Sequence, residues 1–143
     1  MNRVVIIGDI VASKQIENRN EVQENLNQVL SHLNYPHRND LLSNYTITIG
    51  DEFQVVLSEF DSVFSDIINI SVNLYPVKVR FAIGIGTLST PINEEQAIGM
   101  DGPAFYLARH GIEGLKKTGS LFRIDWRYSD TYYGITMMKR NIS

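Results

Sequence analysis

The order in which the hydrophobic period changes along the chain is the tightest constraint on its fold. Val4 to Ile7 is a continuous β-branched run, the pattern of a strand buried on both faces. From about Arg19 to Asn34, Val22, Leu26, Val29, Leu30 and Leu33 recur at helical spacing among polar residues, and Tyr35-Pro36 ends the run. Two alternating runs follow, Tyr45 to Ile49 and Phe53 to Leu57, with Gly50-Asp51-Glu52 between them as a tight hairpin in which Gly50 takes an unusual dihedral. Asp61 is placed to cap a helix through Leu74, with Val63, Phe64, Ile67, Ile68 and Val72 facing inward. Val77, Val79, Phe81, Ile83 and Ile85 then alternate as a strand. The small residues Ala82, Gly84 and Gly86 on its other face allow something to approach the backbone closely. These six elements read β-α-β-β-α-β, the ferredoxin-like arrangement of an α+β fold, with a mixed, mostly antiparallel sheet and helices on one face. Asp101-Gly102-Pro103 opens a further helix to Lys117, and Leu121 to Trp126 is a further strand. The tail beyond, with its tyrosines and Lys139-Arg140, follows no clear period.

The 143 residues fit one domain, 1–143, large enough to bury a core without staples. Cysteine is absent, so disulfides, thiol nucleophiles and cysteine metal sites are excluded. With 13 Lys+Arg against 16 Asp+Glu the net charge is −3, which lacks the basic footprint that nucleic-acid binding needs. The apolar run at the N-terminus is short and is interrupted by Asp9. No stretch has the length of a membrane span, so a cytoplasmic protein is expected.

The residues with most chemical content are Asp9 and Asp51. Asp9 ends the first strand and Asp51 sits at the hairpin tip. In the split βαβ arrangement the end of the first strand meets that hairpin turn, so the two carboxylates converge at one edge of the sheet. Converging hard oxygens suit Mg²⁺ or Mn²⁺, with waters and substrate phosphates completing the shell. The backbone carbonyl of Ile10 and the carboxylate of Glu52 are further candidate ligands. The competing reading is that both aspartates only shape turns. Ser13 and Lys14, in the loop after Asp9, suit a phosphate. Asp101 either caps the third helix or reaches the site, and Arg109, two turns into that helix, either meets a phosphate or is surface charge. His32, His37 and His110 show no ligand spacing. Lys116-Lys117 fits the helix dipole, and Phe105 and Tyr106 read as core.

Four blocks together resemble one family of bacterial proteins. Gly8-Asp9-Ile10-Val11-Ala12-Ser13, Ile49-Gly50-Asp51-Glu52-Phe53-Gln54, Phe81 to Gly86, and Asp101-Gly102-Pro103-Ala104-Phe105 with Ala108-Arg109 are similar to the SatD family, from Val4 to about Trp126. That family has no established activity. Its longer members carry a helix-turn-helix-like C-terminal region, which the resemblance places beyond a chain of this length. More distantly, the same blocks resemble the palm domain of class III nucleotide cyclases and GGDEF diguanylate cyclases. That likeness implies metal at Asp9 and Asp51, and phosphates facing Ser13, Lys14, Gly50 and Arg109. It also implies a nucleotide or other phosphate-containing small molecule as ligand, and a homodimer with the site between subunits, although no dimer seam stands out. Ile49 replaces the first glycine of the GGDEF signature, and no base-recognition Lys/Asp pair is evident. The alternative is therefore a non-catalytic regulatory or scaffold module on a degenerate cyclase site; no catalytic residue is assigned.

Overall fold

A computed structural model of the chain describes residues 1–12 and 16–137. Its elements are β1 (Arg3–Ile10), α1 (Arg19–Leu33), β2 (Leu41–Ile47), β3 (Phe53–Leu57), α2 (Val63–Leu74), β4 (Val79–Gly86), α3 (Pro103–Thr118), β5 (Phe122–Tyr128) and β6 (Thr131–Met137). They form one six-stranded sheet in the order β2-β3-β1-β4-β5-β6. Every neighbouring pair is antiparallel except β4 and β5, which run parallel and are joined through α3. The α+β class, the βαββαβ order and the further helix and strand are as the periodicities predict.

The alternation of side chains along each strand sorts the core into two layers. Val4 and Ile6 of β1, Phe53 and Val55 of β3, and Phe81 and Ile83 of β4 pack with Leu26 and Leu30 of α1 and Ile70 of α2. Val5 and Ile7 of β1, Val56 of β3 and Ala82 of β4 pack on the opposite face with Ala104, Ala108 and Ile112 of α3. The helices therefore lie on both faces, not on one. The small face of β4 explains the difference, because what approaches it is α3. A Cβ on Gly84 would overlap the carbonyl oxygen of Ala104 and stand 2.7 Å from the amide of Ala108.

Other expectations shift. The hairpin strands are Leu41–Ile47 and Phe53–Leu57, so the connection is longer than three residues. Gly50 is in the left-handed region at φ +58°, as a turn residue there requires. The N-cap of α2 is Ser62 rather than Asp61, and the helix is rotated from its expected setting. Val63, Asp66, Ile70 and Leu74 are buried, while Phe64, Ile68 and Val72 are about half exposed or more. Asp66 turns inward because Arg38 and the Tyr45 hydroxyl both reach its Oδ2 at 2.7 Å. The chain after β5, without a period in sequence, forms an edge strand, β6. Lys139 and Arg140 lie outside the described residues. No helix among the described residues is long and apolar enough to cross a membrane.

Candidate functional site

The register of β1 determines the site. Gly8 pairs with Phe53 on one side and Asp9 pairs with Arg80 on the other, so the end of β1 meets the hairpin turn and the start of β4 at one edge. Asp9, Asp51 and Glu52 line one cleft there, with Ile49, Arg109 and Lys116. The cleft has a volume of about 280 Å³.

Two layers of the fold hold these carboxylates. Asp9 shares the α3 face of β1 with Val5 and Ile7. Its two oxygens accept from the same Arg80 nitrogen at 3.1 Å, and Lys116 Nζ stands 3.6 Å from Oδ2. Glu52 receives a two-pronged contact from Arg109 at 2.7 and 2.9 Å, with Lys116 at 3.9 Å. Arg109, Glu113 and Lys116 form one stripe of α3, joined by ion pairs at 3.8 and 3.7 Å. Asp51 instead belongs to the α1 side. Its Oδ1 accepts from Gln23 at 2.6 Å, and Oδ2 has Arg19 at 3.7 Å. That Oδ2 is buried and has no hydrogen-bond partner, as is Arg80 Nε.

The electrostatics follow from burial. Burial raises the Asp9 carboxyl above the usual carboxylate range and the charge of Glu52 adds to this, against the opposing pull of Arg80 and Lys116. Glu52 raises the Arg109 guanidinium above its usual value, so the cation is held on. Arg109 and Lys116 are nonetheless part-exposed, at 46% and 38% of their side chains.

Of the residues singled out by sequence, Asp9, Asp51, Glu52 and Arg109 come together. Ile10 ends β1 with its side chain in the core. Gly50 is exposed at the turn. Asp101 does not cap α3: the N-cap is Gly102, with no side-chain cap, and the Asp101 carboxylate accepts from the Gly102 amide at 2.8 Å. Asp101 lines a neighbouring cleft of about 290 Å³ with Gln54, Phe105, Tyr106 and Arg109, so Arg109 lies between the two clefts. Tyr106 is 75% exposed and is not core, whereas Phe105 is buried. Ser13 and Lys14 lie outside the described residues. The three histidines are exposed.

Sequence reasoning missed Arg80, Lys116, Arg19 and Gln23. The signal for Arg80 is the antiparallel register that sets it opposite Asp9; for Lys116 it is the two-turn spacing from Arg109. Among the described residues, no group of three or more acidic or histidine side chains stands gathered at metal-ligand spacing. The donor chemistry still fits a divalent ion. Three hard-oxygen carboxylates line one cleft and one of their oxygens is buried without a hydrogen bond, donors that would suit a divalent ion once Asp9 gives up its contacts with Arg80 and Lys116.

A split βαβ sheet with an acidic corner where β1 meets the hairpin turn defines a cyclase-type palm. Solved structures agree on the fold. One described as a bacterial light-regulated adenylyl cyclase matches with a TM-score of 0.58 and 12% identity, over 87% of this chain and 75% of that one. A second structure described in the same terms matches with a TM-score of 0.57 and 13% identity, over 87% of this chain and 42% of that one. The SatD family model matches residues 3–121, and the chain belongs to the SatD family. No curated protein matches the chain by sequence.

Proposed function

We propose that the protein binds a nucleotide or a related phosphate compound at this corner, through a divalent cation held by Asp9 and Asp51. The observation that carries the reading is the buried Asp51 Oδ2, which has no hydrogen bond, on a residue that lines the cleft with Asp9 and Glu52. Burying a carboxylate oxygen with no hydrogen bond, and with only the part-exposed Arg19 at 3.7 Å, is costly, and a bound cation would remove that cost. The Ile10 carbonyl and Glu52 are the further ligands in this reading. Mg²⁺ or Mn²⁺ there would neutralise phosphate charge and activate a hydroxyl or a water. Arg109 and Lys116, released from Glu52 and Asp9 as the carboxylates turn to the cation, would meet the phosphates from α3. Ser13, Lys14 and the Gly50 turn are further candidates for that contact, with Asp101 at the neighbouring cleft. The adenylyl cyclase likeness supports a nucleoside triphosphate as the first ligand to try.

A second reading has its own observation. Asp9 and Glu52 are already neutralised by Arg80 and Arg109, which suits a non-catalytic regulatory module that takes its ligand without metal. Thermal unfolding across a nucleotide panel, with and without Mg²⁺ or Mn²⁺, separates the two. Ligand at about a hundred times its Kd adds about 2.7 kcal/mol, a shift of several degrees for a chain of this size. The metal reading predicts a shift that needs the cation and disappears in Asp9→Asn and Asp51→Asn. A shift of equal size in chelator, kept by both variants, would instead establish the second reading.

A further inference from the structure

The helix α3 does not cover its face of the sheet to the edge. It packs chiefly on β4 and β1, and beside it the uncovered part of β3 floors the cleft of about 290 Å³ that shares Arg109 with the acidic corner. Ile7 and Gln54, paired across β1 and β3, are that floor. Phe105, Tyr106 and Arg109 of α3 make one wall, and Met100 and Asp101 make the other.

Gln54 is the unexpected member of this floor, a polar side chain only 9% exposed in a strand otherwise apolar. Its amide nitrogen donates to the Ala97 carbonyl. A carbonyl only accepts, so the nitrogen end of the amide is fixed there and Oε1 is the other end. Oε1 makes no hydrogen bond among the described residues, and a buried acceptor left bare is costly. Asp101 carries a second bare acceptor. Its Oδ1 accepts from the Gly102 amide, and Oδ2 has no partner among the described residues. Its main chain is held by Ser89 at 2.8 Å and by the Thr90 hydroxyl at 3.0 Å, which fixes its place on the wall. The cation of the lining, Arg109, is already spent on Glu52. Tyr106 adds a ring that is 75% exposed.

We infer that this cleft reads the base of the ligand, that the base is guanine, and that one chain supplies the whole site. The inference rests on the phosphate site proposed above. Guanine presents N1–H and N2–H side by side, two donors for Asp101 and for Gln54 Oε1, and the Asp101 charge strengthens its share. Adenine sets its one amino group between acceptor nitrogens, which would meet these oxygens with lone pairs. A site whose polar groups stay unpaired with the wrong ligand discriminates strongly. The base stacks on Tyr106, as bases do on exposed aromatic rings. From there Tyr106, Arg109, Glu113 and Lys116 follow one stripe of α3, and at 1.5 Å per residue Lys116 lies about 15 Å along the helix. An extended nucleoside triphosphate bridges that interval, with its phosphates at the corner. A carboxylate repels phosphate, so Asp101 serves the base end. The cyclase likeness would divide such a site between two subunits, whereas corner, stripe and cleft here belong to one chain.

Calorimetric titration of the full chain in Mg²⁺ with GTP, ITP, ATP and tripolyphosphate tests this, with folding of each variant followed by circular dichroism. Tripolyphosphate has no base and reads the corner alone. GTP should bind at least about tenfold more tightly than ATP, with ITP, which lacks the N2 amino group, between them. Asp101→Asn and Gln54→Met should each bring GTP down to the affinity of ATP. Asp101 is exposed, so its variant decides if Gln54→Met fails to fold. ATP bound as tightly as GTP, or a GTP preference that survives both substitutions, overturns the base subsite and leaves the corner standing. A GTP preference that persists in chelator and in Asp51→Asn upholds the subsite and removes the metal from the corner instead. Binding of none of the four overturns both.

Discussion

At the scale of single residues, the fold rests on a buried charge cluster as much as on its apolar core. Arg38 donates to Asp40 at 2.7 Å, to Ser62 at 2.8 Å and to Asp66 at 2.7 Å, and the Tyr45 hydroxyl shares Asp66. Arg38 and Asp66 are almost fully buried as side chains. Removing one member of a buried pair leaves an uncompensated charge and costs about 3–5 kcal/mol. Arg38→Met should therefore lower stability by about that amount in urea unfolding, whereas the half-exposed Arg109→Met should change it by less than about 1 kcal/mol. Arg38 also holds the Asp40 carboxyl below its usual value, helped by Ser62. A lowered carboxylate pKa contributes stability that is present above the unfolded value and is lost as pH falls through the folded one. Acid titration of stability should thus show a loss beginning as pH falls below the ordinary carboxylate value of 3.8, and Arg38→Met should remove the Asp40 part of that loss. None of this cluster stands out in sequence, because Asp66 sits inside an apolar run and its partners are 28 and 21 residues away.

At the scale of elements, α1 and α2 show when a hydrophobic period selects a buried face and when it does not. In α1 one apolar stripe stands among polar residues, so its buried face is unambiguous: Val22, Leu26, Val29, Leu30 and Leu33 are the residues buried. In α2 apolar residues run nearly all round the helix, and the period alone does not select a face. The Arg38–Asp66 contact settles it and leaves Phe64 and Ile68 outside. The third helix was legible at both ends, but not its side of the sheet. That is set by the small residues of β4, whose sequence signature was visible while its purpose was not. Gly84→Val should therefore force α3 off the sheet and destabilise by about 3 kcal/mol or more, the upper end of core overpacking. Gly50→Ala meets no neighbour but has to hold φ +58°, so its cost should be only about 1 kcal/mol. Urea unfolding of the two variants side by side checks this contrast between crowding and backbone strain.

At the scale of the whole molecule, the order of strands brings chemistry to one corner. Setting β1 between β3 and β4 makes Asp9 a neighbour of Glu52 and Arg80, residues far away in sequence. The acidic half of that corner was legible, because aspartates after a buried strand and in a hairpin turn stand out. The basic half was not, since Arg80 alternates with apolar residues like any outward strand residue and Lys116 sits where the helix dipole alone would favour a cation. The result is a corner whose charges are nearly balanced, with Arg80, Arg109 and Lys116 against Asp9 and Glu52. On the proposed reading, such a corner would exchange partners when a cation and a phosphate arrive together. Arg109→Ala with Lys116→Ala should then weaken triphosphate binding at least tenfold while leaving the fold intact, as calorimetric titration in Mg²⁺ would show.

The most direct measurement is the free Mn²⁺ signal in electron paramagnetic resonance, titrated with wild type and with Asp51→Asn, each with and without a nucleoside triphosphate. If Asp9 and Asp51 hold the cation, the wild type depletes the signal, nucleotide deepens the depletion beyond what nucleotide alone removes, and Asp51→Asn abolishes both effects. Equal free Mn²⁺ over wild type, Asp51→Asn and protein-free buffer would contradict a metal centre at this corner.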